Sequence, residues 1–413
     1  MIVASTEKGL QTGLDKLHEF AHTKHLTVSI DKSKTLIFNK TGKLIRRTFK
    51  IGGETLEPVR TFCYLGYDVN ASGANNTALE NLYNKASKAM QPLLRTAARF
   101  NIPVKTLIRL FDAYISPIML YNVENWAEMS TKKLENFTKD KFWSDIMDNK
   151  ASNIHRRFLK YILGVSKSCP NSAVMGDVGE LPLILKGYRL MLQYWYRITN
   201  LPNGNLAKIS LLENIGLKTN WITTIEKLLN VFNLSNSVQN GNKLKYNAKQ
   251  SIHTLYVEFW KKDIANNGRL EFYRKIKNNF NFEKYLELQN FYKRKAISKL
   301  RCSDHQLEIE KGRHKGIGRQ ERLCEMCHMN KVESEEHFLF ECSFYKDIRI
   351  RTNFNNNIGC LFEDNFLEDT GNFILSALDE RADKKVLASL ITNFILLSTE
   401  EGTEQEKNGT EHS

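Results

Sequence analysis

Hydrophobic positions follow two different periods along this chain, and the change falls near residue 75. Before it, Leu26-Thr-Val-Ser-Ile30 alternates and predicts a strand, and Thr35-Leu-Ile-Phe38 is a short apolar run after a lysine-rich turn. Phe49-Lys-Ile51 leads into Gly52-Gly53, a hairpin signal, and Phe62-Cys-Tyr-Leu65 before Gly66 predicts another buried strand. Ahead of these, Leu10, Leu14, Leu17 and Phe20 fall at helical spacing.

From Thr77 the period is helical. Thr77-Ala-Leu-Glu80 has the form of a capping box, in which hydroxyl and carboxylate satisfy free backbone donors. Leu79, Leu82, Ala86, Ala89, Leu93 and Leu94 then share one face of a helix running towards Phe100. Lys85, Lys88, Arg95 and Arg99 share the opposite face, within roughly a quarter of the circumference at about 100° per residue. Asn101-Ile-Pro103 breaks this helix, and a second runs from Pro103 to Ser116, where Pro117 interrupts it. Ile154 to Gly164, Leu183 to Thr199, Trp221 to Phe232 and Leu244 to Asn267 carry further helical spacing, separated by loops at Ser166–Asn171 and Asn200–Asn205. Glu400 to Ser413 is polar and acidic with no apolar anchor, and is expected to be disordered. The fold class expected is α+β, predominantly α-helical.

Composition narrows the function. The chain has 413 residues and a net charge of +14, a surplus that attracts polyanions such as nucleic acid. No stretch approaches about 18 uninterrupted apolar residues, so no membrane partner is expected. Met1-Ile-Val-Ala-Ser-Thr-Glu-Lys8 lacks the basic leader and apolar core of a secretion signal, which gives an intracellular expectation.

Seven cysteines in a chain of this size point to reduced thiols, and only Cys324 and Cys327 lie close together. Cys324-x2-Cys327-x9-His337-x4-Cys342 supplies four sulfur or nitrogen ligands within nineteen residues. Zn2+ takes such a set tetrahedrally, and a closed shell of three thiolates and one imidazole implies a structural ion. His328 competes on spacing, although its position directly against Cys327 would strain the knuckle; Cys302, Cys360, His305 and His314 read as bystanders. Arg313, Lys315, Arg319 and Arg322 precede the knuckle and are candidate phosphate contacts or members of a solvated loop.

These residues carry a family resemblance. Leu26-Thr-Val-Ser-Ile-Asp-Lys-Ser-Lys-Thr-Leu-Ile-Phe38 resembles the palm motif that follows the metal-binding motif of LINE-type (non-LTR) retrotransposon reverse transcriptases. Phe62-Cys-Tyr-Leu-Gly66 resembles the next motif, the primer-grip hairpin, formed here by Phe62, Tyr64, Leu65 and Gly66. The basic-faced helix and the segment through Tyr121-Asn-Val-Glu-Asn-Trp126 resemble the thumb. Phe158-Leu-Lys-Tyr-Ile-Leu-Gly-Val165, Gly179-Glu-Leu-Pro182, Gln193-Tyr-Trp-Tyr-Arg197 and the knuckle with Glu336-His-Phe-Leu-Phe-Glu-Cys342 are similar to the region beyond it.

The resemblance implies a palm remnant with the primer-grip hairpin (1–75), a thumb (76–130), a helical C-terminal region (131–300), a basic segment with zinc knuckle and closing helix (301–395) and a disordered tail (396–413). It implies RNA and DNA as partners and a nuclear location. The family places a Tyr- or Phe-Ala-Asp-Asp tetrapeptide just before a strand like Met1-Ile-Val-Ala4, where this chain starts. The expectation is therefore a chain that binds template–primer without polymerising. Mg2+ would enter only with the upstream palm, and Lys32, which matches the family's palm lysine, would be idle. Two alternatives stay open: a truncated gene model of an active reverse transcriptase and endonuclease, or a domesticated zinc-containing interaction protein.

Overall fold

The computed structural model describes residues 1–235 and 241–386, the side chains of 241–243 excepted, so the end of the expected closing helix and the whole expected tail lie outside the described residues. Helix dominates strand, 61% against 5%, as an α-dominated α+β fold requires.

The N-terminal part is a helix laid on a small sheet. Helix α1 (Glu7–Thr23) is capped by Thr6, whose hydroxyl accepts from the Gly9 N–H. Strand β1 (Lys34–Thr35) pairs parallel with β3 (Glu54–Pro58), and β3 pairs antiparallel with β2 (Phe49–Ile51). Gly52 and Gly53 both take positive φ, as a two-residue hairpin turn demands. Leu14, Phe49, Ile51 and Leu56 form a minor core of their own, with Val28 and Ile30 packed against it.

Three strand expectations need correction. Leu26–Ile30 is irregular: its alternation places Val28 and Ile30 against the minor core, but no neighbouring strand offers a ladder, and apolar period alone cannot supply one. Of Thr35–Phe38 only Thr35 is in a strand. Phe62–Leu65 does form a hairpin, with β4 (Thr61–Tyr64) paired antiparallel to β5 (Tyr67–Asn70), but the strand is not buried. Cys63 and Tyr64 face solvent and the turn residue Leu65 is 74% exposed at φ 49°.

Helix α2 (Asn76–Arg99) carries the expected apolar face, with Leu82 and Ala86 fully inside and Leu79, Ala89, Leu93 and Leu94 partly so. Its start differs. Asn75 is the first flanking residue, no side chain caps it, and Glu80 pairs with Lys150 instead of closing a capping box. Helix α3 (Val104–Tyr114) follows, and Ser116–Met119 continues as a short helix with Pro117 in its first turn, where proline needs no donor. The helices Lys150–Leu163, Leu183–Thr199, Asn220–Val231 and Gly241–Asn266 lie where the periodicity puts them.

One continuous core runs from Leu82 to Ala377, crossing the expected boundaries at 130 and 300. At its centre lies a buried guanidinium. Arg301 donates from Nε and Nη2 to the two oxygens of Asp177 at 2.9 and 3.0 Å and also meets Glu283 at 3.1 Å. Tyr273 and Tyr285 donate to the same carboxylate at 3.0 and 2.8 Å. The Phe362 ring lies 4.5 Å from the guanidinium carbon, covering a cation whose Nη1 has no hydrogen-bond acceptor among the described residues. Gly176 is obligatory here, since a Cβ would come within 2.5 Å of the Tyr273 hydroxyl.

Burial works to raise the Asp177 carboxyl, but the Arg301 guanidinium outweighs it and holds the group below the ordinary 3.8. The stabilisation this pair gives is present above pH 3.8 and is lost as pH falls through the lower folded value. Asp177→Asn is expected to cost about 3–5 kcal/mol in urea unfolding at neutral pH, because it strands a buried cation. Wild type should then lose more stability than the variant on acidification below pH 3.8; parallel acid profiles would contradict the assignment.

Candidate metal centre and basic helix face

The sulfur atoms of Cys324, Cys327 and Cys342 and a ring nitrogen of His337 all lie within 4.8 Å of one another, and all four residues are buried. Cys324 and Cys342 Sγ are 3.9 Å apart, and Cys327 Sγ is 3.4 Å from His337 Nε2. A tetrahedron with metal–sulfur bonds of about 2.3 Å and metal–nitrogen bonds of about 2.0 Å has edges of about 3.8 and 3.5 Å. The cluster could hold a metal ion with no rearrangement of these pairs.

Local backbone chemistry explains the convergence. Leu323 and Val332 form an isolated antiparallel bridge, flanked by Cys324 N–H donating to Lys331 O and Glu333 N–H to Arg322 O. This narrow loop presents Cys324 and Cys327 together. His337 and Cys342 are five residues apart, and in an α-helix five steps would carry the second side chain about 140° beyond a full turn. The chain instead forms a π-turn over His337–Glu341, with Cys342 N–H donating to His337 O at 2.8 Å, and both ligands face the same point.

The surroundings orient the ligands. Glu341 Oε2 stands 3.5 Å from His337 Nδ1 and 3.0 Å from Lys331 Nζ, leaving Nε2 to face the thiols. Cys324 Sγ lies 3.5 Å from Glu333 Oε1, inside a fully buried carboxylate. Arg381, from the helical stretch 367–386, clasps Glu333 with both terminal nitrogens and reaches the Tyr345 hydroxyl at 3.3 Å. Contact with Cys342, followed by burial, pushes the Cys324 thiol up to about 12, while the same contact lowers Cys342. Two crowded sulfurs cannot both be anions unless a cation joins them.

The bystanders stay apart. His328 is exposed, His305 pairs with Glu335 at 2.9 Å, and His314 contacts Arg313. Cys302 packs against Cys169 and Asp177, far along the chain from the knuckle, and Cys360 is half-buried.

The basic candidates divide. Lys85, Lys88, Arg95 and Arg99 are all exposed on α2 and none has an acidic partner among the described residues; Arg99 lies over the Phe100 ring. Near the knuckle, Arg313 pairs with Glu310, Arg319 with Glu271, and Arg322 donates to the Ile309 and Ile317 carbonyls. Lys315 alone of that group is exposed with no side-chain partner among the described residues. Lys32 is exposed in a turn. Among the hairpin residues, Phe62 is half-buried, and Tyr121 holds the tip by donating to the Leu65 carbonyl at 2.5 Å. Asn81 on α2 donates to Asp68 at 2.7 Å, which fixes the hairpin beside the basic helix.

Comparison with protein-family models, curated proteins and solved structures finds no match to this chain.

Sequence spacing found the four ligands but missed Glu333 and Arg381, which lie 48 residues apart in the chain. Glu341 was legible in principle, one turn beyond His337. Cys324→Ser or Cys342→Ser is expected to abolish stoichiometric metal in elemental analysis and to open residues 320–350 to protease, with α2 and α3 still protected. Full protection of 320–350 in the metal-free variants would contradict a folding role for the cluster.

Proposed function

We propose that this chain holds nucleic acid, in the manner of the C-terminal part of a LINE-type reverse transcriptase, and that the Cys3His cluster binds a structural Zn2+. The observation that carries the reading is the α2 stripe: Lys85, Lys88, Arg95 and Arg99 are exposed, with no neutralising acid among the described residues. Cations left unpaired on one face fit the regular spacing of backbone phosphates. The neighbouring hairpin, tied to α2 by Asn81 and held at its tip by Tyr121, supports the reading by lying beside the stripe. Three soft thiolates and an imidazole favour zinc, and the closed shell leaves no position for a reacting water.

Polymerisation by the chain as it stands is not part of the proposal. Two-metal chemistry needs clustered carboxylates. Among the described residues the one group of three or more possible metal ligands is the Cys3His set, which holds no carboxylate; Asp15 accepts from Gln11, Asp68 accepts from Asn81, and Asp31 sits in an exposed turn. Among the described residues no helix is long and apolar enough to cross a membrane.

A second reading, an interaction protein, draws on the helix Leu206–Gly216, which leaves Leu206, Ile209, Leu212 and Ile215 exposed. The two readings part on one experiment. Purified protein is expected to bind an RNA–DNA hybrid with a log–log salt slope that falls by about 3 to 4 when Lys85, Lys88, Arg95 and Arg99 become Ala. It should give no primer extension with Mg2+. An unchanged slope removes the stripe from the interface, and robust extension overturns the assignment of an inactive chain.

A further inference from the structure

We propose that the junction between the end of α2 and the helix Phe291–Arg301 is a stacking platform for unpaired bases, a single-stranded nucleic-acid site continuous with the α2 stripe. The inference rests on the nucleic-acid reading above and extends it from duplex backbone to bare bases.

Three aromatic side chains gather here without a covering element among the described residues. Phe100 is 55% exposed, Phe291 43% and Tyr292 67%. Exposed aromatics occur elsewhere on the chain, Phe20, Phe38, Tyr114 and Tyr246 among them, and one alone needs no explanation; here three flank one hydrogen-bonded junction. They are held together from below. Asn101, next to Phe100, donates to the Gln289 carbonyl at 2.5 Å and accepts from Arg294 Nη2 at 3.0 Å. Arg294 is itself buried, donates to the Leu288 and Gln289 carbonyls, and lies 5.8 Å from the Phe291 ring centre. The junction is therefore a rigid floor that fixes where the rings stand.

The charge around the rings suits a polyanion. Arg99 lies 5.4 Å over Phe100 and Lys295 6.0 Å over Phe291, so two of the three rings carry a cation beside a face. The nearby acids are already neutralised, Glu287 by Lys105 and Glu368 by Lys293. Phe291 and Tyr292 stand edge to face at 5.7 Å, so they do not stack flush on each other and an outer face remains for a partner. Base stacking on aromatic side chains tolerates any sequence, and flanking cations meet the phosphates that join the bases. Arg99 belongs to both features: it ends the duplex-facing stripe and begins the platform. A strand leaving a duplex held on α2 would thus run directly onto the rings.

The test uses the full, metal-loaded chain and three fluorescent probes: a blunt RNA–DNA hybrid, the same hybrid with an unpaired extension of about eight nucleotides, and that extension with abasic sites. Wild type is expected to bind the extended hybrid about tenfold or more tighter than the blunt one, and the abasic extension should lose that gain. The double variant Phe100→Leu, Tyr292→Leu keeps apolar volume at two exposed sites while removing the π faces. It should bind the blunt hybrid like wild type and show no gain from the extension. The platform is overturned if wild type gains nothing from the extension while binding the blunt hybrid, or if the variant retains the gain. Absence of all binding by wild type is a different result, which removes the nucleic-acid reading and the platform with it.

Discussion

A guanidinium with no access to water fixes the architecture around it. Arg301 is fully buried, and such a cation is tolerable only where a carboxylate, further acceptors and ring faces surround it. Asp177 supplies the carboxylate, Glu283 a second one, and Tyr273, Tyr285 and Phe362 close the cage. With Arg301 at the end of the helix Phe291–Arg301, these residues come from the helix Asn171–Val178, the segment Glu271–Ile276, the stretch 283–287 and the stretch after residue 359. One interaction therefore specifies how five pieces of chain meet, and the large core grows outward from them.

The Cys3His cluster is joined to this core by a second charged contact. Glu333 touches Cys324 on one side and is gripped by Arg381 on the other, while its Oε2 also accepts the Glu308 N–H at 2.7 Å. A carboxylate beside a thiolate is repulsive unless a cation offsets it, and Arg381 does so at the buried end. The knuckle, the Glu308–His314 helix and the helical stretch 367–386 consequently fold against one another as a group. In position the knuckle is an extension of the helical core, since Cys324, Cys342 and Phe338 belong to the same continuous cluster as Leu82.

What the chain discloses by reading alone depends on the range of the interaction. Period and spacing are local, so α2, the helix Leu183–Thr199 and the Gly52-Gly53 hairpin are legible, and so are the four ligands. Alternation at Leu26–Ile30 misleads because burial in the minor core and membership of a sheet have the same period. Exposure of the Tyr64–Leu65 tip is invisible because an apolar strand and an apolar tip are written alike. The Asp177–Arg301 and Glu333–Arg381 pairs span 124 and 48 residues, and nothing in either neighbourhood announces the partner. The basic stripe was placed on the surface by geometry, whereas the three carbonyl bonds and ion pairs that occupy Arg313, Arg319 and Arg322 needed the folded chain.

The stripe and the hairpin owe their relation to this same framework: α2 packs its apolar face on the core, which turns Lys85 to Arg99 outward beside the hairpin held by Asn81 and Tyr121. The most direct test of that relation is lysine footprinting by mass spectrometry, with and without a bound RNA–DNA hybrid. The account predicts that acylation of Lys85 and Lys88 falls in the complex while Lys139 and Lys218, equally exposed and away from α2 in the chain, react unchanged. Protection of Lys139 and Lys218 with Lys85 and Lys88 left reactive would contradict it.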